Sequence, residues 1–413
     1  MMRNNNLLSA AVFCLVFGSC QTSNNNNQAM EQSEKGSFAY DLEFLKGKDS
    51  VIVLTAAGGD AQVIVSPKYQ AKAFTSTADG LEGKSFGWIN YEAFEGEPDP
   101  HMNGYGGEDR LWLGPEGGKF SLFFAPNTTM EFENWHTPAA IDTESWDLVS
   151  ASEQKATMKK DMSLVNYVGT KLDLTVDREI EIMEPSAIAE LLGVQLNDSV
   201  KSVGFHTVNV LTNTGSFAWN EQTGAPCMWN LDMFSPSPKT VIVIPYREEA
   251  TGKVATTDYF GEIPEDRIVY ENGTLYLKAD GKSRGKLGIP PQRATEFAGS
   301  YAADNGVLTI TRFDVDNNGV YLNQEWTPDK DPLIGDAINA YNDGPLEDGS
   351  QMGPFYEIES VSPAAFLEPG ESLTHRHSVF HFTGDKNTLN EISTKILGVS
   401  LAEIDAQFQT ATN

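Results

Sequence analysis

From residue 37 onward, apolar side chains recur mainly at every second position. Lys171-Leu-Asp-Leu-Thr-Val-Asp-Arg-Glu-Ile-Glu-Ile182 alternates cleanly, which predicts a long strand with one face buried and one solvated. Shorter runs at Ser50–Ala56, Ala61–Ser66, Lys119–Phe124, Lys239–Pro245, Thr274–Leu277, Val307–Arg312 and Phe355–Ser360 are apolar or alternating and end at Gly, Pro or Asp turns, and they read as further strands. Their number and even spread, with few helical stretches between them, point to an antiparallel sandwich and not to βαβ units. Two segments depart from the period of two. Pro185–Leu192 and Leu389–Leu397 carry helical spacing, and Gly193 and Gly398 stand where a C-cap glycine would end each helix. Ser400-Leu-Ala-Glu403 matches a capping box and predicts a last short helix near the C-terminus.

The N-terminus follows a different logic. Arg3 precedes an apolar run from Leu7 to Phe17, too short to span a bilayer and suited to the core of a signal peptide. Phe17-Gly18-Ser19-Cys20 then resembles a bacterial lipobox, with Phe17 in place of the usual Leu. The expectation is a lipoprotein signal over residues 1–19, a lipid on Cys20, and a polar flexible tether over residues 20–37. A plain secretory signal is the alternative. The remaining residues, 38–413, show no composition shift that marks a boundary and read as one large β domain.

Composition narrows the partners. With 29 Lys+Arg against 58 Asp+Glu, the formal charge is −29, so the basic footprint that nucleic acid or an anionic membrane requires is missing. Contact with a membrane is therefore expected through the lipid alone. With 40% hydrophobic residues a core can be buried. Of the 3 Cys, Cys14 leaves with the signal and Cys20 is lipidated. Cys227 then reads as a small core residue, with a nucleophile as the alternative.

Three constellations could carry chemistry. Asp314-Val-Asp316-Asn-Asn318-Gly319, followed by Glu325, satisfies the spacing of a calcium loop. Its flanks Val307–Phe313 and Val320–Trp326 read as strands, so Asn317-Asn318-Gly319 can equally be a hairpin turn. No other cofactor is expected. His375, His377 and His381 share parity on one expected strand, beside Glu357 and Glu359 on the strand before it. Such a group could bind a metal, serve as an acid–base pair, or form a hydrogen-bonded polar strand face. Asn103–Gly118 places Glu108, Asp109, Arg110 and Trp112 among six glycines. Arg supplies planar bidentate donors and Trp a flat apolar face, a pairing that suits polyhydroxylated ligands, whereas a buried Arg–Asp pair among turn glycines is the alternative. His136, after Trp135, and Lys286, in a rare basic cluster from Lys282, are weaker candidates.

These residues carry a resemblance. Gly106–Glu116, Val208–Gly215, and the pairing of Tyr356-Glu-Ile-Glu-Ser with Leu367-Glu-Pro-Gly-Glu-Ser and Phe380-His-Phe382 resemble segments of bacterial proteins with a galactose-mutarotase-like, or aldose-epimerase-like, fold. The chain also looks like a family of bacterial lipoproteins of unassigned function. The resemblance implies a large antiparallel β-supersandwich, all-β apart from short helical inserts and a C-terminal helix, with a concave face that often binds sugar. It places Glu357 at the general base, with Glu359 as the register alternative. The expected general-acid histidine is missing: Trp229 stands near its place, so His206, His136 or His377 would have to serve. The implied function is an exported, lipid-anchored protein of the bacterial cell envelope, periplasmic or surface-facing. It would be an epimerase, hydrolase or lyase acting on a carbohydrate, or a glycan-binding module without turnover. If Cys20 carries the lipid, Cys20→Ser abolishes membrane partitioning in a detergent phase-separation assay, and unchanged partitioning refutes the anchor.

Overall fold

The structure, a computed structural model, describes residues 33–409. The signal, Cys20 and most of the tether lie outside these residues. Helix α1 (Phe38–Lys46) starts at Ser37, whose Oγ accepts from the Tyr40 N–H. Strands β1 (Ile52–Thr55), β2 (Gln62–Ser66) and β3 (Lys72–Thr77) follow as a three-stranded antiparallel sheet. Next come β4 (Arg110–Gly114), β5 (Asp147–Ala151), β6 (Lys155–Val165), β7 (Lys171–Ile182) and α2 (Pro185–Leu192). The middle of the chain forms β8 (Val200–Asn213), β9 (Cys227–Phe234), β10 (Thr240–Pro245), β11 (Ile268–Glu271), β12 (Thr274–Lys278) and β13 (Gly285–Ile289). The last part holds β14 (Phe297–Ala302), β15 (Val307–Phe313), β16 (Ile338–Asn342), β17 (Tyr356–Val361), β18 (Ser372–Gly384), α3 (Lys386–Leu397) and α4 (Leu401–Ala406).

Two large antiparallel sheets build the sandwich. The ten-stranded sheet runs β11-β12-β10-β14-β15-β18-β8-β7-β6-β5, and the five-stranded sheet runs β13-β16-β17-β9-β4. The architecture is the expected all-β one, with large antiparallel sheets and few helices, including one near the C-terminus. The alternating strand predicted at 171–182 is β7 with those bounds, and the helix at 185–192 is α2. Gly193 and Gly398 take the left-handed φ of 63° and 74° that end α2 and α3. The Ser400–Glu403 capping box is present at the start of α4.

Period two decides what each sheet covers. Odd-numbered β18 residues His375, His377 and Val379 face the five-stranded sheet, whereas Phe380 and Phe382 face outward. There Phe380 and Phe382 join Leu308, Ile310, Val241 and Tyr301 beneath Ile188 of α2, Leu389 and Ile392 of α3, and Ile404 of α4. The main core between the sheets extends from Leu54 and Val63 through Val176, Phe205 and Ile358 to Val379. Among the described residues no helix is long and apolar enough to cross a membrane.

Two expected strands are not strands. Lys119–Phe124 is a buried turn: Leu122 donates to the Pro115 carbonyl and Phe123 to Ser121 Oγ. Phe120, Leu122, Phe123 and Phe124 are all buried, so successive residues, not alternate ones, meet apolar neighbours. Val320–Trp326 does not pair with β15, because both edges of β15 are taken by β14 and β18. This segment instead gives its backbone to Gly117, Ala364 and Pro332. Asn317-Asn318-Gly319 is thus a turn without a hairpin.

One close approach sets the seat of α2. A Cβ on Gly204 would lie 2.5 Å from Phe380 Cδ1 and 2.9 Å from Ile188 Cδ1. Gly204→Ala therefore overpacks the helix–sheet interface and lowers unfolding stability in urea by about 1–3 kcal/mol; an unchanged midpoint contradicts this packing.

Candidate functional site

The outer face of the five-stranded sheet collects the charged and aromatic residues that the sequence scatters over 250 positions. On this face Trp112 lies opposite Trp229, and Arg110 and Glu359 flank Leu231. Glu357 lies between Met233 and Tyr341, and Lys286 lies beyond Tyr341. Arg110 Nη2 sits 2.5 Å from Glu357 Oε1, and its guanidinium is 4.9 Å from the Trp112 ring centroid. Glu359 Oε2 accepts from Trp229 Nε1 at 2.8 Å and pairs with Lys286 Nζ at 3.2 Å. That ammonium also lies 4.3 Å from the Trp229 ring centroid. Two carboxylates two residues apart on one strand thus each have a cation, and each of those cations lies over an indole.

The surroundings are aromatic and dry. Trp112, Phe123, Trp135 and Trp326 follow one another with ring centroids 5.4, 5.8 and 5.9 Å apart. Trp326 Nε1 donates to Glu116 Oε1 at 3.1 Å, and Phe260 meets Trp326, Tyr341 and the Arg284 guanidinium. Burial pushes the Glu357 carboxyl up to about 7; Arg110 opposes the rise and the charge of Glu359 adds to it. Burial likewise raises Glu116, against the pull of Lys286. Glu359 Oε1 and Arg110 Nε are buried without a hydrogen-bond partner. Buried polar atoms are normally paired, so these two mark places that a bound polar group would satisfy.

The inner face of the same sheet holds a second polar network, and the histidines belong to it. His377 Nε2 is 2.7 Å from Asp232 Oδ2, and Ser360 Oγ bridges His377 Nδ1 at 2.8 Å and His375 Nε2 at 2.9 Å. Burial pushes Asp232 up to about 7, while Asp232 lifts His377 against the effect of its own burial. Burial and the neighbouring His377 push His375 down to about 3. His381 bridges Glu108 Oε1 at 3.0 Å and Thr309 Oγ1 at 2.8 Å. Asp109 Oδ1 accepts from Arg178 at 3.2 Å and from Asn230 Nδ2 at 2.8 Å.

The expected neighbourhood of histidines and glutamates does not form. β17 and β18 lie in different sheets, and residues 357 and 359 point away from β18 while 360 points toward it. His377 and Glu357 thus occupy opposite faces of one sheet. Asp109 is separated from Arg110 and Trp112 by the same alternation, Glu108 lies ahead of β4 and pairs with His381, and Arg110 pairs with Glu357, not Asp109.

The other candidates lie apart. His206 stands on the outer side of the ten-stranded sheet, 3.7 Å from Glu181 and close enough to Glu179 to form a three-ligand group. Lys155 neutralises both glutamates there, at 2.8 and 2.6 Å. Burial lowers the His206 pKa, against Glu181 and Glu179. His136 is exposed, stacks on His101 at 4.5 Å and contacts the Pro100 carbonyl. Asp314 pairs with Arg376, Asp316 accepts from the Asn318 N–H, and Glu325 pairs with Lys330. Among the described residues, Asp314, Asp316 and Glu325 do not converge as a metal-ligand group. Cys227 is buried, and burial raises its thiol to about 12, as suits a core residue. Tyr341 and Lys72 carried no sequence signal as site residues, since they meet Glu357 and Arg110 from distant segments, and Trp326 joins through Glu116 of the glycine-rich segment.

The chain belongs to a family of unknown function, DUF6786, whose family model matches residues 36–408. Comparison with the curated proteins finds no match. Among solved structures the chain is similar to the Slr1438 protein from Synechocystis sp. PCC 6803, with 12% identity over 82% of this chain and 96% of that one, at a TM-score of 0.49. It is also similar to a galactose mutarotase-like protein from Lactobacillus casei ATCC 334, with 11% identity over 80% of this chain and 100% of that one, at a TM-score of 0.48. A galactose mutarotase related enzyme from Lactobacillus acidophilus follows, with 10% identity over 81% and 97% of the two chains and a TM-score of 0.41.

The raised Glu357 carboxyl has a defined sign. Its folded pKa, about 7, exceeds its ordinary value of 4.5, so its stabilisation is complete below pH 4.5 and is lost as pH rises through 7. Glu357→Gln keeps the shape without the titration. Over that window wild type loses roughly 3 kcal/mol relative to the variant, measured by urea unfolding at pH 4.5, 6 and 8; parallel curves contradict the assignment.

Proposed function

We propose that the outer face of the five-stranded sheet is a carbohydrate site in which Glu357 and Glu359 are the proton-transfer groups. The observation that carries this reading is the buried pair itself. Two carboxylates lie two residues apart on β17, one pushed up to about 7 and the other with a buried, unpartnered Oε1. Alternate residues of a strand share a face, and a pair of carboxyl groups that flanks an anomeric centre carries glycoside chemistry. Glu357, protonated near neutrality, would donate to a ring or glycosidic oxygen. Glu359, with Oε2 held by Trp229 and Lys286, would accept a proton at Oε1. Arg110 would orient hydroxyls, and the Trp112–Trp229 surface would take the apolar face of the ring. A base–histidine pair has less support, because among the described residues no histidine contacts Glu357 or Glu359.

Three reaction outcomes follow from one geometry. If Glu359 takes the proton of the anomeric hydroxyl while Glu357 protonates the ring oxygen, the C1–O5 bond opens to the aldehyde, and reclosure on its other face completes an epimerisation. If Glu357 protonates a glycosidic oxygen while Glu359 takes a proton from the water that attacks C1, the glycosidic bond is hydrolysed. If Glu359 takes a proton from the ring carbon next to the one that bears the leaving oxygen, and that oxygen departs with the Glu357 proton, the bond is cleaved by elimination to an unsaturated sugar. A second reading, glycan capture without turnover, is favoured by one observation: both carboxylates already have a cation, at 2.5 and 3.2 Å, so they can serve as fixed hydroxyl acceptors. We place the protein at the bacterial cell envelope, held by a lipid on Cys20 through the polar tether.

The mature chain is to be screened against an oligosaccharide and polysaccharide panel, with product analysis. If the pair is catalytic, Glu357→Gln and Glu359→Gln each lower turnover by about 10²–10⁴-fold while binding persists. Binding by wild type without product assigns a glycan-binding module, and neither binding nor product removes the carbohydrate reading.

A further inference from the structure

Lys72 opens β3 and is 2% exposed. Among the described residues its ammonium makes no ion pair and no hydrogen bond, and its nearest ring neighbours are Tyr105 at 5.6 Å and Phe74 at 5.9 Å. A buried ammonium without a partner is unfavourable, and in a chain of net charge −29 counter-ions are plentiful. The candidate acid, Asp142, lies beyond ion-pairing distance. Its carboxylate is occupied by the Asn103 N–H at 3.0 and 3.2 Å and by Asn103 Nδ2 at 3.0 Å.

Lys72 is not isolated from the site. Its stem and that of Arg110 converge on Gly107: a Cβ there would lie 3.3 Å from Lys72 Cδ and 3.2 Å from Arg110 Cγ. Gly107 has φ +132° and is clasped between the Trp88 carbonyl and the Met233 N–H, so the absent side chain keeps both cationic stems against the backbone. Arg110 spends Nη2 on Glu357, but its Nε is buried and unpartnered. Two neighbouring cations therefore each hold a donor without a protein partner among the described residues, and that of Arg110 is fully buried. The cost is visible in Lys72, which burial and then the repulsion of Arg110 bring down to about 7 against the pull of Asp142.

We infer that Lys72 and Arg110 form an anion subsite at the edge of the five-stranded sheet, which receives the carboxylate or sulfate group of an acidic sugar. The inference rests on the carbohydrate reading of the same face and names its substrate class. A sugar hydroxyl could accept from either donor, but it would leave the Lys72–Arg110 repulsion in place. An oxyanion satisfies both donors and supplies the counter-charge that Lys72 lacks, and a guanidinium next to an ammonium is a recurrent means of holding one.

The test is isothermal titration of the mature chain at constant ionic strength. The probes are D-glucuronate and D-glucose 6-sulfate, with D-glucose as the neutral counterpart and inorganic sulfate alone. Wild type is expected to bind at least one acidic sugar about tenfold or more tightly than glucose, a difference of about 1.4 kcal/mol. Lys72→Met removes the preference while glucose binding stays within a few-fold, and Lys72→Arg retains it. Which acidic sugar wins distinguishes carboxylate from sulfate. An equal preference in Lys72→Met, or glucose binding without any preference, overturns the subsite and leaves the carbohydrate site standing. Sulfate binding that Lys72→Met abolishes, without any sugar binding, keeps the anion site and removes the sugar. No binding of any probe overturns both. Should Lys72→Met fail to fold, acetic anhydride labelling of wild-type Lys72 decides: protection by glucuronate or glucose 6-sulfate and not by glucose supports the subsite, and no protection overturns it.

Discussion

The Arg178 guanidinium ties all three sheets together. Wholly buried, it donates Nε to the Ala71 carbonyl at 2.9 Å, just before β3, and Nη1 to Asn209 of β8 at 2.7 Å. It also pairs with Asp109, one residue ahead of β4, at 3.2 Å. A charge in this position is tolerable only when its partners are in place, so the ten-stranded sheet, the five-stranded sheet and the small N-terminal sheet must close together. Asn230 then extends the network from Asp109, and Asp232, Ser360 and His377 form a parallel link between the sheets.

This interior network also determines what the opposite face presents. Side chains alternate along a strand, so Asp109 turned inward obliges Arg110 to turn outward, and Ser360 inward obliges Glu359 and Glu357 outward. Asn230 and Asp232 do the same for Trp229, Leu231 and Met233. A slip of one residue in any of these strands would exchange a paired buried charge for an unpaired one. The outer arrangement of Arg110, Glu357, Glu359 and Lys286 is thereby held in register by hydrogen bonds that never touch it. Rigidity of this kind is what a site with raised and unpartnered carboxyl oxygens requires, since those groups would otherwise relax toward solvent or toward each other.

Much of the fold was legible locally. The alternation of Lys171–Ile182, the C-cap glycines at 193 and 398 and the Ser400–Glu403 capping box are short-range features whose physics acts within a few residues, and the structure has them at those positions. The failures share a cause. Lys119–Phe124 is a turn whose successive residues are buried, and Val320–Trp326 loses β15 to β14 just before it and to the distant β18. Glu357, Glu359, Arg110, Trp112 and Lys286 were all recognisable as residue types, but the histidines that seemed their natural partners share a parity with the core.

The sequence by itself determined the clean alternation of strands such as Lys171–Ile182, the helix ends, the acidic balance and the identity of the charged residues that need partners. The tertiary structure alone decided which charges meet. Assignment of β17 and β18 to different sheets put His377 with Asp232 inside, and Glu357 with Arg110 outside. It also left Lys72 beside Arg110 without a counter-ion. Strand alternation says only that two residues share a face. Which face is dry, and which cation lies across it, depends on pairings over more than 200 residues, for which local periodicity carries no information.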